Sequence, residues 1–222
     1  MLFDILQGAR GIEIIVMLFA SAFVVFCTMP VHEYAHALIA TKLGDPTPRL
    51  SGRLTLNPMA HIDWLGAAMI FFVGFGYAKP VQVNPRNFKD PKKGMALTAL
   101  AGPVANILMA ALFILFGNIF GLFKQTVIMQ AFRLFFTFAA SINIGLAVFN
   151  LIPIPPLDGS RILQLVIPNK YYFKFMQYER YIILVVFALI LFGVLNKPLA
   201  FLNNLIYNGL SYIIGLPFRA FS

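Results

Sequence analysis

Two histidines and a glutamate fall within five consecutive positions of this chain, His32-Glu33-Tyr34-Ala35-His36. On a helix, positions i and i+4 lie on one face about a turn apart, so both imidazoles can point at a single zinc ion. Glu33, about a quarter turn from His32, can reach a water bound to that ion. Such a set suits hydrolysis: zinc brings the pKa of its water to about 7, and a neighbouring carboxylate takes the proton before a carbonyl is attacked. A lone histidine on an apolar face is more often a hydrogen-bonded core residue than a ligand. Here, however, the whole chain holds three histidines and eight acids, and three of these eleven groups share one turn. Ionisable groups at membrane depth are rare and usually functional, and a long apolar run precedes this turn.

A catalytic zinc ordinarily keeps three protein ligands and one open position. The extended pattern H-E-x-x-H-x-x-G-x-x-H is absent, because "ALIATK" follows His36. Candidates for the third ligand are His61 and Asp63 in "NPMAHIDW", Asp45, Asp90, Glu179 and Asp158. Asp158 is the strongest by position. It ends "FNLIPIPPLDGSR", whose prolines withhold backbone donors and fix a turn. The plain alternative is an ordinary Asp-Gly turn without chemistry.

The elements that must position these groups are membrane helices. Hydrophobic residues make up 60% of the sequence and charged residues 11%, against about 25% charged in a soluble domain. The expected architecture is an all-α polytopic membrane protein with four to six transmembrane helices. No repeat or linker divides the sequence, so residues 1–222 read as a single membrane-embedded domain. The net charge of +9 then points to lipid headgroups and not to nucleic acid. One cysteine, Cys27, excludes an internal disulfide. The stretch "MLFDILQGARGIEIIVMLF" has an acid at position 4 and no small-residue cleavage site, so it reads as an uncleaved first span.

Apolar segments cover residues 12–43, 62–77, 95–122, 126–150 and 181–196, with a weaker one at 198–216. The first exceeds a simple span, since its helix would run to ~50 Å against a hydrocarbon core of ~30 Å. Pro30 is the expected point of distortion. Basic residues cluster at Lys42, Arg49 and Arg53, at Lys79 to Lys93, and at Arg161 to Arg180. If all three clusters face the cytoplasm, segment 62–77 is re-entrant, a full span there being the competing topology. The turns carrying His32 and Asp158 then lie toward the cytoplasmic side. The stretch "PRLSGRLTLNP" alternates like a strand or short β-hairpin near the site, and "GRLTLN" could pair with an unwound substrate segment.

Three stretches together resemble the site-2 protease family of intramembrane zinc metalloproteases: "VHEYAHALIA", "ALAGPVAN" and "NLIPIPPLDGSR". "RLTLNPMAHIDWLG" and "YAKPVQVNPRNFKDPKKGMALTALAGP" extend the likeness over roughly residues 28–162, toward the compact bacterial members without peptide-binding or nucleotide-sensing domains. The resemblance implies one Zn2+ per chain, held by His32, His36 and Asp158, with Glu33 as general base. It also implies regulated cleavage of single-span membrane proteins, in or near their transmembrane helix, in the plasma (inner) membrane. Trp64 stands in "HIDWLG" where related sequences often have proline, with a local effect expected on the re-entrant segment.

Asparagines form a second tier. Asn143 and Asn150 share a helix face at a spacing of seven, and Asn106 lies in "AGPVAN". Amides in hydrocarbon need partners, so helix-helix bonding is their plain role. Contact with substrate backbone or a developing oxyanion is the functional one, and all three are candidate substrate-binding residues. His61 is expected to tie the re-entrant loop, and Arg161 to meet headgroups or helix-end carbonyls. Two rival functions use the same groups. A metal transporter or channel predicts further ligands along a path, yet few ionisable groups follow the first cluster; an inactive membrane-protein binder would have lost Glu33 or a ligand, and all remain.

Overall fold

The computed structural model describes residues 11–73, 78–124 and 126–220. The start of the expected first span, residues 1–10, and the turn of the expected re-entrant segment, residues 74–77, lie outside the described residues. The elements in chain order are α1 (Gly11–Lys42), two single turns α2 (Thr47–Leu50) and α3 (Pro58–His61), and α4 (Trp64–Val73). They continue with α5 (Pro91–Gly121), α6 (Val127–Asn150), α7 (Asp158–Leu163), α8 (Asn169–Gln177), α9 (Glu179–Leu191) and α10 (Asn196–Gly215). Among the described residues, four stretches are long and apolar enough to cross a membrane: α1, α5, α6 and Asn196–Phe218.

The expected distortion in α1 takes the form of a π-helical turn over Val24–Thr28, immediately ahead of Pro30. Pro30 has no N–H to give the Phe26 carbonyl four residues back, and a widened turn is one way to absorb the misfit. The Thr28 hydroxyl donates to the Val24 carbonyl at 3.1 Å across this turn. The helix then resumes as a regular α-helix through His32 and His36 to Lys42.

α5 and α6 form the antiparallel hairpin at the centre of the bundle, with the N-terminal half of α1 on α6 and its C-terminal half on α5. Val104, Leu108, Leu112 and Phe116 repeat every four residues on the exposed side of α5, the stripe a lipid-facing helix presents. Its opposite side places Ala110, Phe113 and Ile114 in one core with Ala139, Ala140 and Ile144 of α6. Alanines at such a seam let backbones approach closely, which matters where lipid removes the hydrophobic drive between helices. α10 lies over both, and Asn203 donates to the Ser141 carbonyl at 3.2 Å.

Two sequence expectations change. No strand forms among the described residues: Thr47–Leu50 is a helical turn, and 51–57 is turn and irregular backbone without a ladder partner. Its alternation instead serves a loop that Arg53 ties to the Ala60 carbonyl and His61 to the Thr55 carbonyl. The apolar segment at 181–196 gives only the 13-residue α9, about 20 Å long and short of a span. The weaker segment gives the long helix. Hydropathy understated it because Asn203, which lowers the score, is bonded to α6.

Candidate metal centre

Three stretches distant in sequence meet at one end of the hairpin. The regular helix after the π-turn puts His32, Glu33 and His36 on buried turns, each 7% exposed. Asp158 opens α7, after the proline turn that ends α6. His32 Nε2 lies 3.5 Å and His36 Nε2 3.3 Å from Asp158 Oδ2, and the two imidazole Nε2 atoms are 3.0 Å apart. Three donors bound at about 2.0–2.1 Å to a tetrahedral zinc would be about 3.3 Å from one another. The observed separations bracket that value.

The surroundings fit an ion as well. The His36 Nδ1–H donates to the Thr98 carbonyl at 2.7 Å, which leaves the Nε2 lone pair free to face the other two donors. Gly102 of α5 lies against both rings, and a Cβ there would collide with His36 Nε2 and His32 Nε2. Asp158 Oδ2 and His32 Nδ1 are buried without a hydrogen-bond partner in the protein. Burial opposes ionisation of Asp158, but the imidazoles of His36 and His32 outweigh it and hold the carboxyl well below the usual range. Gly159 fixes the next position, since a Cβ would strike the Leu151 and Ile152 carbonyl oxygens.

The remaining third-ligand candidates have other partners or positions. Asp63 accepts from the Leu65 and Gly66 amides and caps α4; Asp90 caps α5 through Lys92 and Lys93. Glu179 sits in the first turn of α9. His61 is fully buried with Nε2 on the Thr55 carbonyl. Asp45 is the acceptor of a buried node, taking bonds from the Thr47 amide and hydroxyl, the Asn84 amide and the Asn87 side chain. Among the described residues, His32, His36 and Asp158 form the one group of three such side chains close enough to share an ion.

The centre opens on a cavity of about 560 Å3. Asn106 and Asn150 line it with Glu33, and Arg161 lines it too, where headgroups or helix-end carbonyls were expected as its partners. Both side-chain polar atoms of Asn106 are buried without a partner. Asn150 donates to the Leu146 carbonyl at 2.9 Å. Asn143 is fully buried, does not line the cavity, and donates to the Ala139 carbonyl at 2.8 Å. Ala78, Pro80, Val81 and Val83 of the irregular stretch before α5 also line the cavity, whereas residues 54–56 do not reach it.

Sequence reasoning passed over Gly102 and Thr98. A signal for the first existed, because Gly102-Pro103 inside an apolar helix costs helix stability without an evident local reason. Thr98 acts through its backbone carbonyl, which leaves no trace in side-chain type.

A carboxylate and two imidazoles facing one cavity within a bundle of apolar helices define a multi-pass membrane protein with a candidate metal centre. Residues 116–193 match peptidase family M50. The chain is 39% identical over 153 residues to "Putative zinc metalloprotease YwhC" of Bacillus subtilis, covering 68% of this chain and 70% of that protein. It is 31% identical over 160 residues to "Putative zinc metalloprotease Rip2" of Mycobacterium tuberculosis, covering 68% and 57%. To "Zinc metalloprotease MJ0392" of Methanocaldococcus jannaschii it is 25% identical over 146 residues, covering 66% and 34%. No solved structure shows a significant match. The chain belongs to peptidase family M50, the site-2 protease family, and is a zinc metalloprotease.

Proposed function

We propose that the chain is an intramembrane endopeptidase that hydrolyses peptide bonds in or near the transmembrane helix of single-span membrane proteins. The observation that carries this reading is the convergence of His32, His36 and Asp158 within 3.5 Å of one another, beside Glu33 in a cavity among apolar helices. One Zn2+ held by these three would polarise the scissile carbonyl and acidify a water. Glu33 takes the proton of that water and passes it to the leaving amine. The Thr98 carbonyl keeps His36 in the tautomer that presents Nε2. Asn106, and Asn150 once it releases Leu146, offer amide donors to substrate backbone or to the developing oxyanion; Asn143, outside the cavity lining, is left to its bond with the Ala139 carbonyl within α6.

A substrate helix must unwind before cleavage, because its carbonyls are hidden in intrahelical bonds. The irregular stretch through Val81 and Val83 supplies the backbone edge that a strand there could pair with, and it replaces 54–56 in that role. The Lys79 amide donates to the His61 carbonyl at 2.8 Å, so the chain leaves and regains one level between residues 62 and 78. This supports a re-entrant 62–77. Lys42 at the close of the motif helix and Arg161 in the cavity lining are basic residues near the centre, and the positive-inside rule supports a reading in which that end faces the cytoplasm of a plasma (inner) membrane.

The test compares purified wild type with Glu33→Gln on a model single-span substrate, with zinc measured in both. Loss of a general base costs about 10²–10⁴-fold, so cleavage should fall by about that much while zinc content stays equal. Equal cleavage by the two proteins would end this reading.

A further inference from the structure

The cavity over the metal centre holds one cation that the hydrolytic step does not call for. Arg161 lines it, and every other lining side chain apart from His32, Glu33, His36 and Asp158 is neutral. Arg161 lies in the last turn of α7, three residues after Asp158, so the two side chains leave one face of the helix with Cβ atoms about 5–6 Å apart. Of the basic residues that follow, Lys170, Lys174 and Arg180 are exposed, whereas Arg161 is half-buried. Among the described residues no carboxylate lies within ion-pair distance of its guanidinium, and Asp158 is turned to His32 and His36.

The chemistry of this lining selects a carboxylate. A positive charge withdrawn from water is costly unless it is paired. The two positive charges of a bound zinc are matched by Asp158 and Glu33, and Arg161 then leaves one positive charge over. Its guanidinium presents five donors in a planar fork, which fits the two oxygens of a carboxylate. Water can solvate that fork while the cavity of about 560 Å3 stands open, but a substrate segment that enters displaces the water. An apolar side chain set against Arg161 would leave the charge dry, and a lysine would double it. An extended chain advances ~3.3 Å per residue. The place of Arg161 on α7 therefore corresponds to a substrate side chain within about three residues of the bond being cut.

We infer that Arg161 is a specificity-determining residue that binds an aspartate or glutamate side chain of the substrate close to the scissile bond. This rests on the endopeptidase reading above and adds a substrate class to it, membrane segments that carry an acid beside the cleaved bond. In the test, a model single-span substrate is made with Glu, Gln or Lys at each position within about three residues of the cleaved bond. Wild type, Arg161→Gln and Arg161→Glu are compared on this set, with each ratio taken within one protein so that a general loss of rate cancels. At one position or more, wild type should favour Glu over Gln by about tenfold, the worth of one charge-assisted hydrogen bond, in KM and not in kcat. Arg161→Gln should show no such preference, and Arg161→Glu should favour Lys at the same position. Glu33→Gln should bind the Glu substrate more tightly than the Gln substrate by the same factor. That variant forms no product, so its ratio reports the side chain and not a newly made terminal carboxylate. Equal KM for Glu and Gln at every position overturns the inference and leaves the endopeptidase reading intact, as does a preference that survives in Arg161→Gln. A wild type that cleaves no faster than Glu33→Gln removes the endopeptidase reading and this inference with it. If neither Arg161 variant folds, Arg161→Lys decides: its preference should keep the same sign at reduced size, and an undiminished ratio overturns the pairing.

Discussion

At the end of the α5–α6 hairpin that carries the metal centre, side chains with polar atoms are buried and left unsatisfied: Asn106 at both atoms, Thr98 Oγ1, His32 Nδ1 and Asp158 Oδ2. At the other end the two helices are joined by aromatic rings. Phe136 stacks on Phe116 and Phe120 with centroids 5.5 and 5.4 Å apart, and Phe120 stacks on Phe132 at 5.0 Å. The same pair of helices is thus packed by rings at one end, where Asn118 Nδ2 is also unsatisfied, and gathers several unsatisfied polar atoms at the other. Buried polar atoms without partners destabilise a fold, and they persist where a ligand or substrate will supply what the protein does not. The difference teaches which end can lose a side chain and still work.

The largest separation should come from two glycines on one helix. Gly102→Ala drives a methyl group into the imidazoles of His32 and His36; zinc retention and cleavage should both fall by two orders of magnitude or more, on the order of the loss seen when catalytic geometry shifts by ~1 Å. Gly117→Ala places its Cβ 3.7 Å from that of Phe136, an ordinary contact. It should keep full cleavage and gain about 0.5–1 kcal/mol from helix propensity. Zinc content and melting temperature of the two variants read this directly. Matching behaviour would mean that the two ends are not built differently.

Next in size is the aromatic seam. Phe136→Ala removes the ring that meets Phe113, Phe116 and Phe120. A fully buried phenylalanine typically costs 3–5 kcal/mol on truncation to alanine; the half-exposed Phe136 should cost about 2 kcal/mol. Zinc affinity, measured below the new melting temperature, should not change. A variant of native stability that loses zinc would sink the division of labour between the ends.

How much of this was legible follows the same division. The H-E-x-x-H turn announced itself because ligand spacing and helical period coincide, and the polytopic class followed from the scarcity of charge. Asp158 stood among six candidates on residue type, and the proline run before it already made it the strongest of them. How that run folds back over α5 is a matter of long-range convergence, which leaves no periodic trace. Residues 51–57 alternate as a strand does, yet a strand exists only with a partner, and the sequence names none. α9 and α10 exchanged ranks because hydropathy counts an amide as polar wherever its bond goes. Gly102 was visible as an oddity and needed the imidazoles beside it to acquire a meaning.

A pH-dependent effect concerns Asp45, which anchors the close of α1 to the segment before α5. Burial alone would raise its pKa; the bonds from Thr47, Asn87 and Asn84 outweigh it and hold the carboxyl below its ordinary value. A group with a lowered folded-state pKa contributes stability above its unfolded pKa of about 3.9 and loses that contribution as pH falls through the folded value. Asp45→Asn exchanges one acceptor oxygen for an NH2 group that would face the Asn84 amide or the Asn87 side chain, donor against donor. The cost at pH 7 should be about 1–3 kcal/mol, the range for leaving a buried donor unsatisfied. The gap between wild type and variant should narrow below about pH 4, as the wild-type carboxyl takes up its proton and loses the same acceptor. Asp158 titrates downward from the same ordinary value but is present in both proteins, so its contribution cancels in the difference. Melting temperatures of the two proteins in neutral detergent, from pH 7 down to about pH 3.5, decide it. A gap that stays constant across that range would show that the node is held by shape and not by the charge on Asp45.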